Sequence, residues 1–86
     1  MGSAVEAVYR MVDNKVEALE FSVKKGAKVL DIPLAEMQLK DNLLLCSIVR
    51  KGRMILPSGQ DRIQAGDTVI VVTTHKGLDE IEDILA

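Results

Sequence analysis

The chain has 86 residues, of which 48% are hydrophobic but only 2% aromatic, and its formal net charge is −2. This length fits one domain, which buries only about 60% of the surface that its unfolded chain exposes. The mild negative charge disfavours general binding to nucleic acid or anionic membranes, because both need dense positive charge. No apolar stretch reaches the roughly 18 residues of a membrane-spanning helix, and no signal peptide opens the chain. These features indicate one small cytoplasmic domain.

The core of this domain is expected to be thin, because it must be built almost without aromatic rings. Small domains with modest cores often recruit a partner subunit, a metal or disulfides. The single Cys46 has no partner for an internal disulfide, so a partner subunit is the leading expectation. Residues 1–3 resemble an expression-tag remnant, and residues 4–86 are expected to be one domain excised from a longer chain.

The first third of the chain predicts a β-hairpin. A patterned stretch over residues 7–12 is followed by Asp13-Asn14, a dipeptide that tolerates turn conformations, and by a second stretch over 15–24. In the second stretch, apolar residues alternate with polar ones, which is typical of a half-buried strand. The alternating apolar residues are Leu19, Phe21 and Val23.

A short helix and a buried strand are predicted in the middle of the chain. Pro33 suits the first position of a helix, and Leu34 and Met37 follow at helical spacing, which favours about two turns. After Asp41-Asn42, residues 43–49 form a nearly unbroken apolar run. Such a run is typical of a central strand that is covered on both faces.

Turn residues divide the remainder into further strands and a last helix. Lys51-Gly52 predicts a tight turn into an extended segment over 53–56, which Pro57-Ser58-Gly59 ends. A short extended piece over 61–64 precedes a strand over 68–74. The final segment predicts an amphipathic helix, with one apolar stripe and an acidic opposite side. The stripe consists of Leu78, Ile81 and Leu85, with Ile84 beside it.

This order of elements predicts an α+β domain with a mainly antiparallel sheet of about five strands and two short helices on one face. An antiparallel sheet normally leaves one face in contact with water. Two of the predicted strands, however, are apolar on both sides. We therefore expect a second chain to help cover the remaining face.

Several stretches resemble the TrkA C-terminal domains, also called the C-terminal half of RCK domains. The resemblance begins at Tyr9-Arg10-Met11-Val12-Asp13-Asn14-Lys15-Val16-Glu17-Ala18-Leu19-Glu20-Phe21 and covers nearly all of the chain that follows. The later matching stretches are Pro33-Leu34, Ser47-Ile48-Val49-Arg50-Lys51-Gly52, Ile55-Leu56-Pro57, Ile63, Gly66-Asp67-Thr68-Val69 and Thr73-Thr74-His75-Lys76. They occur in the order of that family.

The resemblance implies a regulatory domain of a cytosolic subunit that controls potassium ion transport. Such a subunit is expected at the inner membrane, through contact with a membrane potassium transporter. In that family a preceding RCK domain binds NAD or ATP. This chain contains no G-x-G-x-x-G loop, so it is not expected to bind a dinucleotide by that route. Nucleic acid is not an expected partner.

The C-terminal domains of that family form homodimers, so the resemblance implies a homodimer here. In some members, the cleft between the two subunits binds cyclic di-AMP (c-di-AMP). The resemblance then implies ligand-binding roles for Asn42, Leu44, Ile48, Arg50 and Pro57. Arg50 could offer a fixed fork of donors to a phosphate, while Leu44 and Ile48 could receive a base. The alternative hypothesis is a purely structural oligomerisation module that binds no small molecule.

Other chemically interesting residues have simpler interpretations. Four basic residues near one hairpin permit either an anion site or a solvated turn: Arg50, Lys51, Arg53 and Arg62. One Cys46 and one His75 are too few for a zinc site of the usual kind, and Cys46 is expected in the core. The acidic residues Asp79, Glu80, Glu82 and Asp83 are expected on the solvated side of the last helix. Because no nucleophile lies beside a base, no catalytic residue and no metal site are predicted, and the chain is not expected to be an enzyme.

Overall fold

Five strands and two 3-10 turns form the regular structure of residues 3–86, which the computed structural model describes. The strands are β1 (Val5–Met11), β2 (Val16–Ser22), β3 (Leu43–Arg50), β4 (Arg53–Ile55) and β5 (Thr68–Thr73). The 3-10 turns cover Leu34–Glu36 and Ile81–Ile84. Met1 and Gly2, which belong to the predicted tag remnant, lie outside the described residues. No helix among the described residues is long and apolar enough to cross a membrane.

All strand pairs are antiparallel, and the order across the sheet is β1-β2-β5-β3-β4. The predicted hairpin is confirmed as β1 and β2, and residues 12–15 form its turn. The predicted turn at Lys51-Gly52 joins β3 to β4. Both of its residues have positive φ, as a two-residue type I′ hairpin turn requires. The expected antiparallel sheet of five strands is therefore confirmed.

One face of the sheet, the core face, is buried along β2 and β5. The register pairs Leu19 of β2 with Val71 of β5, and Phe21 with Val69, so these four side chains lie on the same face. Each is at most 1% exposed. Segments outside the strands cover them with further apolar side chains, which include Val29, Ile63, Leu78, Ile81 and Ile84.

The middle of the sheet belongs to β5, whereas the sequence had placed the apolar run 43–49 there. In the single chain only one face of β3 is covered. Leu45 and Ile48 are buried, but Leu44 is 62% exposed. A bulge at Cys46 shifts the register between Leu45 and Ser47. An extra residue in the strand lets Leu45 and Ile48 reach the core face although they are three positions apart.

The prediction of two short helices is wrong, because each segment forms a single 3-10 turn. Backbone groups that follow the first 3-10 turn form hydrogen bonds with backbone groups of the last segment instead. The N–H of Lys40 donates to the carbonyl of Ile84, and the N–H of Ala86 donates to that of Gln38. These bonds satisfy groups that an α-helix would have paired internally. The apolar stripe still faces the core, since Ile81 and Ile84 are three residues apart, the period of a 3-10 helix.

The first described residues pack against the last segment. Ser3 is 1% exposed. Its Oγ accepts the N–H of Lys24 at 2.9 Å, and its carbonyl accepts the N–H of Ile81 at 3.0 Å. The N–H of Val5 donates to the carbonyl of Asp79 at 2.7 Å. Ser3 is thus part of the packed fold, while the division into residues 1–3 and 4–86 stays a prediction.

Candidate functional site

The second face of the sheet, here called the open face, consists of the paired strand residues that point away from the core. They are Ala7, Tyr9 and Met11 of β1, Val16, Ala18, Glu20 and Ser22 of β2, Thr68, Ile70 and Val72 of β5, Leu44, Ser47 and Val49 of β3, and Met54 of β4. Four large apolar side chains of this face are exposed: Tyr9 by 57%, Met11 by 41%, Leu44 by 62% and Met54 by 66%. Several exposed large apolar side chains on one sheet face are typical of an interaction site.

Glu20 is the one charged residue among the paired residues of the open face. The register places it opposite Ala7 on β1 and opposite Ile70 on β5. Because β5 is the middle strand, Glu20 lies one strand away from the middle of the face. Its side chain is half-buried and has no hydrogen bond or ion pair with the residues that the structure describes.

A buried ion pair joins the end of β3 to the turn before β5. Arg50 donates from Nε and Nη2 to the two carboxylate oxygens of Asp67, at 2.9 and 2.8 Å. Asp67 is 1% exposed and also accepts the N–H of Gln64 at 2.8 Å. The Nη2 of Arg50 donates further to the carbonyl of Arg62 at 2.8 Å. A fork of two parallel hydrogen bonds is a strong geometry for this pair.

The ion pair shifts the pKa of both partners. Burial acts to raise the pKa of Asp67, but the hydrogen bonds from Arg50 and from the N–H of Gln64, with the positive charge of Arg50, outweigh it. The pKa of Asp67 therefore lies below its ordinary value. The hydrogen bond to Asp67 raises the pKa of Arg50, against the opposing effect of burial. Both groups stay charged near neutral pH.

The five predicted ligand-binding residues do not form one cluster within the single chain. Leu44 lies on the open face, whereas Ile48 is 0% exposed on the core face. Asn42 precedes β3 and Arg50 ends it, so these residues lie at opposite ends of a strand about 25 Å long. Arg50 is engaged by Asp67. Pro57 follows β4 and is half-buried.

The four basic residues near the β3–β4 hairpin divide into two kinds. Lys51 and Arg53 are exposed and make no ion pair with described residues, as the solvated-turn interpretation expects. Arg50 and Arg62 instead hold loops together, since Nη1 of Arg62 donates to the carbonyl of Asp31 at 3.0 Å. Sequence reasoning missed these structural roles. The acceptors lie 17 residues from Arg50 and 31 from Arg62, and no local pattern marks them.

An open cleft of about 710 Å³ lies between the first 3-10 turn and the loop after β4. Its lining residues are Pro33, Ala35, Glu36, Ser58, Gly59, Gln60 and Arg62. The N–H of Leu34 donates to the carbonyl of Asp61, and the N–H of Ala35 to that of Gly59. The predicted extended piece over 61–64 contributes a single bridge from Ile63 to Leu30. These bonds fix the spacing of the two loops.

The acidic end of the chain has structural roles that the sequence did not indicate. Asp83 accepts the N–H groups of Asp79 and Glu80, at 2.9 and 3.0 Å. These backbone hydrogen bonds lower the pKa of Asp83, and the charge of Lys40 adds to the effect, although burial opposes it. Glu82 accepts the N–H of Lys28 at 3.0 Å.

His75 and Cys46 are separate from each other. His75 donates its backbone N–H to Thr73 Oγ1 at 3.0 Å, and its Nε2 lies 2.7 Å from the carbonyl oxygen of Asp41. Cys46 is half-buried at the bulge of β3. Within residues 3–86, no three His, Cys, Asp or Glu side chains are placed to hold one metal ion.

The sheet and its open face define the class of this chain: a small domain on one antiparallel sheet, with one face buried and the other free for contact. Comparison with known sequences identifies the family. The sequence model of the TrkA-C domain matches residues 18–86. The chain therefore belongs to the TrkA-C domain family, as the resemblance of its motifs indicated.

Individual relatives carry the same family name. The chain is 31% identical over 70 residues to a "Trk system potassium uptake protein TrkA homolog" of Archaeoglobus fulgidus. These 70 residues are 81% of this chain and 16% of the relative. It is 26% identical over 82 residues to a "TrkA homolog 1" of Methanosarcina mazei, covering 95% of this chain and 18% of that protein. A homolog from Pyrococcus abyssi is 29% identical over 70 residues, or 80% of this chain and 31% of the relative. The chain thus spans less than a third of the length of these relatives.

Proposed function

We propose that the chain is a regulatory domain of a cytosolic subunit that controls potassium ion transport, and that it acts by pairing with a second copy of itself. Its family membership and the names of its relatives, which are Trk system potassium uptake proteins, support the first half. The proposed partners are a preceding nucleotide-binding domain and a membrane potassium transporter. The open face is the observation that supports the second half of the proposal, the pairing with a second copy.

The size of the open face suits a homodimer. Five strands spaced about 4.8 Å apart span about 20 Å, and strands that average about six residues reach roughly 20 Å. Two such faces have roughly 800 Å² of planar area together, and side-chain relief raises the accessible area to about 1,000 Å², the size that a specific interface needs. Two sheets pack well face to face at about 10 Å. A second copy would therefore cover the apolar side chains that one chain leaves exposed.

Regulation would operate through the arrangement of the two subunits. An effector bound between them favours one arrangement only by its differential affinity for the two. The proposed effector is c-di-AMP, with Asn42, Leu44, Ile48, Arg50 and Pro57 as its contacts. A bias in subunit arrangement would then pass to the preceding domain and to the transporter.

A substitution on the open face tests the proposed pairing. Leu44→Lys would place a charge in the apolar interface, so we expect the dimer to dissociate at concentrations where the unchanged chain stays paired. Sedimentation equilibrium measures this. Gln38→Lys, which adds the same charge at an exposed position outside the strands, is the matched control. Equal dimerisation of both variants, or a monomeric unchanged chain at high concentration, would contradict the proposal.

Calorimetric titration with c-di-AMP tests the effector. We expect heat of binding from the unchanged chain and its loss in Asn42→Gly, because glycine keeps the positive φ of Asn42 while removing the side chain. Arg50→Ala would also leave Asp67 unpaired, so a stability measurement must accompany it. Arg53→Ala removes a neighbouring exposed charge and is expected to change nothing. No heat and no thermal shift at high ligand concentration would eliminate this effector.

The second candidate function is a purely structural module that pairs without a small ligand. One observation favours it: Ile48 is buried in the core and Arg50 is already engaged by Asp67, so two of the five predicted contacts have other roles. Persistent dimerisation with no bound effector among nucleotides would support this alternative.

A further inference from the structure

The position of Glu20 suggests how the charge of one side chain controls the pairing of two copies. Glu20 sits between Ala7 and Ile70 on a face whose other paired residues are uncharged. Directly opposed residues on neighbouring strands have Cβ atoms about 5 Å apart. The carboxylate is therefore surrounded by apolar or small side chains and keeps its hydration only because the face is open.

Covering this face would remove water from the carboxylate. A charge that loses water without gaining a partner is costly, whereas a neutral group of the same shape costs much less. The elements beside Glu20 offer no cation. β5 contributes Thr68, Ile70 and Val72 to this face. The titratable side chains that β1 carries beside Ala7 are Glu6, which is exposed at the bulge, and Tyr9, which lies opposite Ala18 on the open face.

We propose that Glu20 sets the strength of self-association through the open face: the ionised carboxylate weakens pairing, and neutralising it tightens pairing. This inference rests on the proposed dimer and adds a means of regulating it. A basic group brought by a further partner would shift the balance towards the covered face. Glu20 thus weakens a contact that would be tighter on an entirely uncharged face.

Measured dimer dissociation constants test the proposal. Glu20→Gln keeps the shape of the side chain and removes its charge, so we expect dimerisation to tighten about tenfold or more at pH 7.5. Glu36→Gln changes the net charge by the same amount at an exposed position outside the sheet and is expected to have no effect. Glu20→Lys restores an unpaired charge and should not tighten the dimer as Glu20→Gln does. Thermal unfolding of each variant verifies that the fold is retained.

Equal tightening by Glu20→Gln and Glu36→Gln would reduce the effect to overall charge and overturn the proposal. Weaker dimerisation of Glu20→Gln would also overturn the proposal. That result would mean that the charge of Glu20 stabilises the dimer, through a cation of the second copy. If Leu44→Lys abolishes dimerisation while Glu20→Gln changes nothing, this inference fails and the proposed dimer stands.

Discussion

Asp67 is a buried polar residue that connects separate elements of the chain. It is 1% exposed and accepts hydrogen bonds from Arg50 and from the backbone of Gln64. Its own carbonyl accepts the N–H of Val23 at 2.8 Å. One side chain therefore ties the end of β3 to the turn before β5, while its backbone ties that turn to the residue after β2.

Substituting this carboxylate should be costly. We expect Asp67→Asn to lower the free energy of unfolding by roughly 3 kcal/mol, because removing one partner of a buried pair leaves the Arg50 guanidinium poorly satisfied. Urea unfolding measures the change. Glu36→Gln, at an exposed residue without a described partner, should stay within about 0.5 kcal/mol. A similar small change for Asp67→Asn would show that the ion pair contributes little.

Acid should destabilise the chain through the same group and through Asp83. Both have a lower pKa in the folded chain than in the unfolded chain. Their contribution is fully present above the unfolded value of about 3.9, and it is lost as pH falls through the lower folded values. We expect the free energy of unfolding to drop below about pH 4, and less steeply in Asp67→Asn. Urea unfolding at several pH values measures both slopes, and equal slopes would contradict this assignment.

At the scale of elements, the strands were predictable and the helices were not. The alternation of β2 and the turn residues Lys51-Gly52 are local signals, and local signals suffice for hairpins. The segments before β3 and after β5 depend on each other, because Lys40 and Ala86 use their N–H groups across the gap. No sequence window contains both. The three-residue spacing of Leu78, Ile81 and Ile84 was the available sign of a 3-10 turn.

The site was less predictable than the fold for a similar reason. The apolar character of residues 43–49 correctly indicated that β3 has a second apolar side. The sequence could not reveal that Leu44 and Ile48 lie on opposite faces, because regular alternation places residues four apart on the same side. The bulge at Cys46 changes that alternation. Nor could it reveal that Asp67 engages Arg50, since 17 residues separate the two.

The contact between the first 3-10 turn and the loop after β4 leads to a prediction of its own. A Cβ at Gly59 would lie 2.9 Å from the Cβ of Ala35. Because the N–H of Ala35 donates to the carbonyl of Gly59 at 2.9 Å, the loops cannot separate without losing that bond. We expect Gly59→Ala to cost about 1 to 2 kcal/mol of unfolding free energy.

The double variant Ala35→Gly, Gly59→Ala separates overpacking from other effects. Removing the Ala35 methyl group should relieve the overpacking and restore the unfolding free energy that Gly59→Ala loses. The new glycine at position 35 should itself cost about 0.5 to 1 kcal/mol. Thermal or urea unfolding of the two single variants and the double variant completes the cycle. Additive losses would indicate that the two residues do not compete for space.

At the scale of the whole molecule, the two faces of the sheet differ in what covers them. The core face holds the fold together with loops and 3-10 turns packed on it, and the open face is free for a partner. Domains of this size gain little from burial alone. Pairing would add apolar burial that the single chain lacks, so stability and assembly would be linked and would both depend on protein concentration.

The pairing of the first and last segments determines how the fold responds to pulling. Ser3 bonds to Ile81 and Val5 bonds to Asp79 in antiparallel order, so Ser3 and the chain beyond Ile81 leave the pair at the same end. Tension between these ends would load the bonds in sequence, starting at Ser3, rather than all together. The paired first and last segments would therefore separate at low force, while the five-stranded sheet stayed intact.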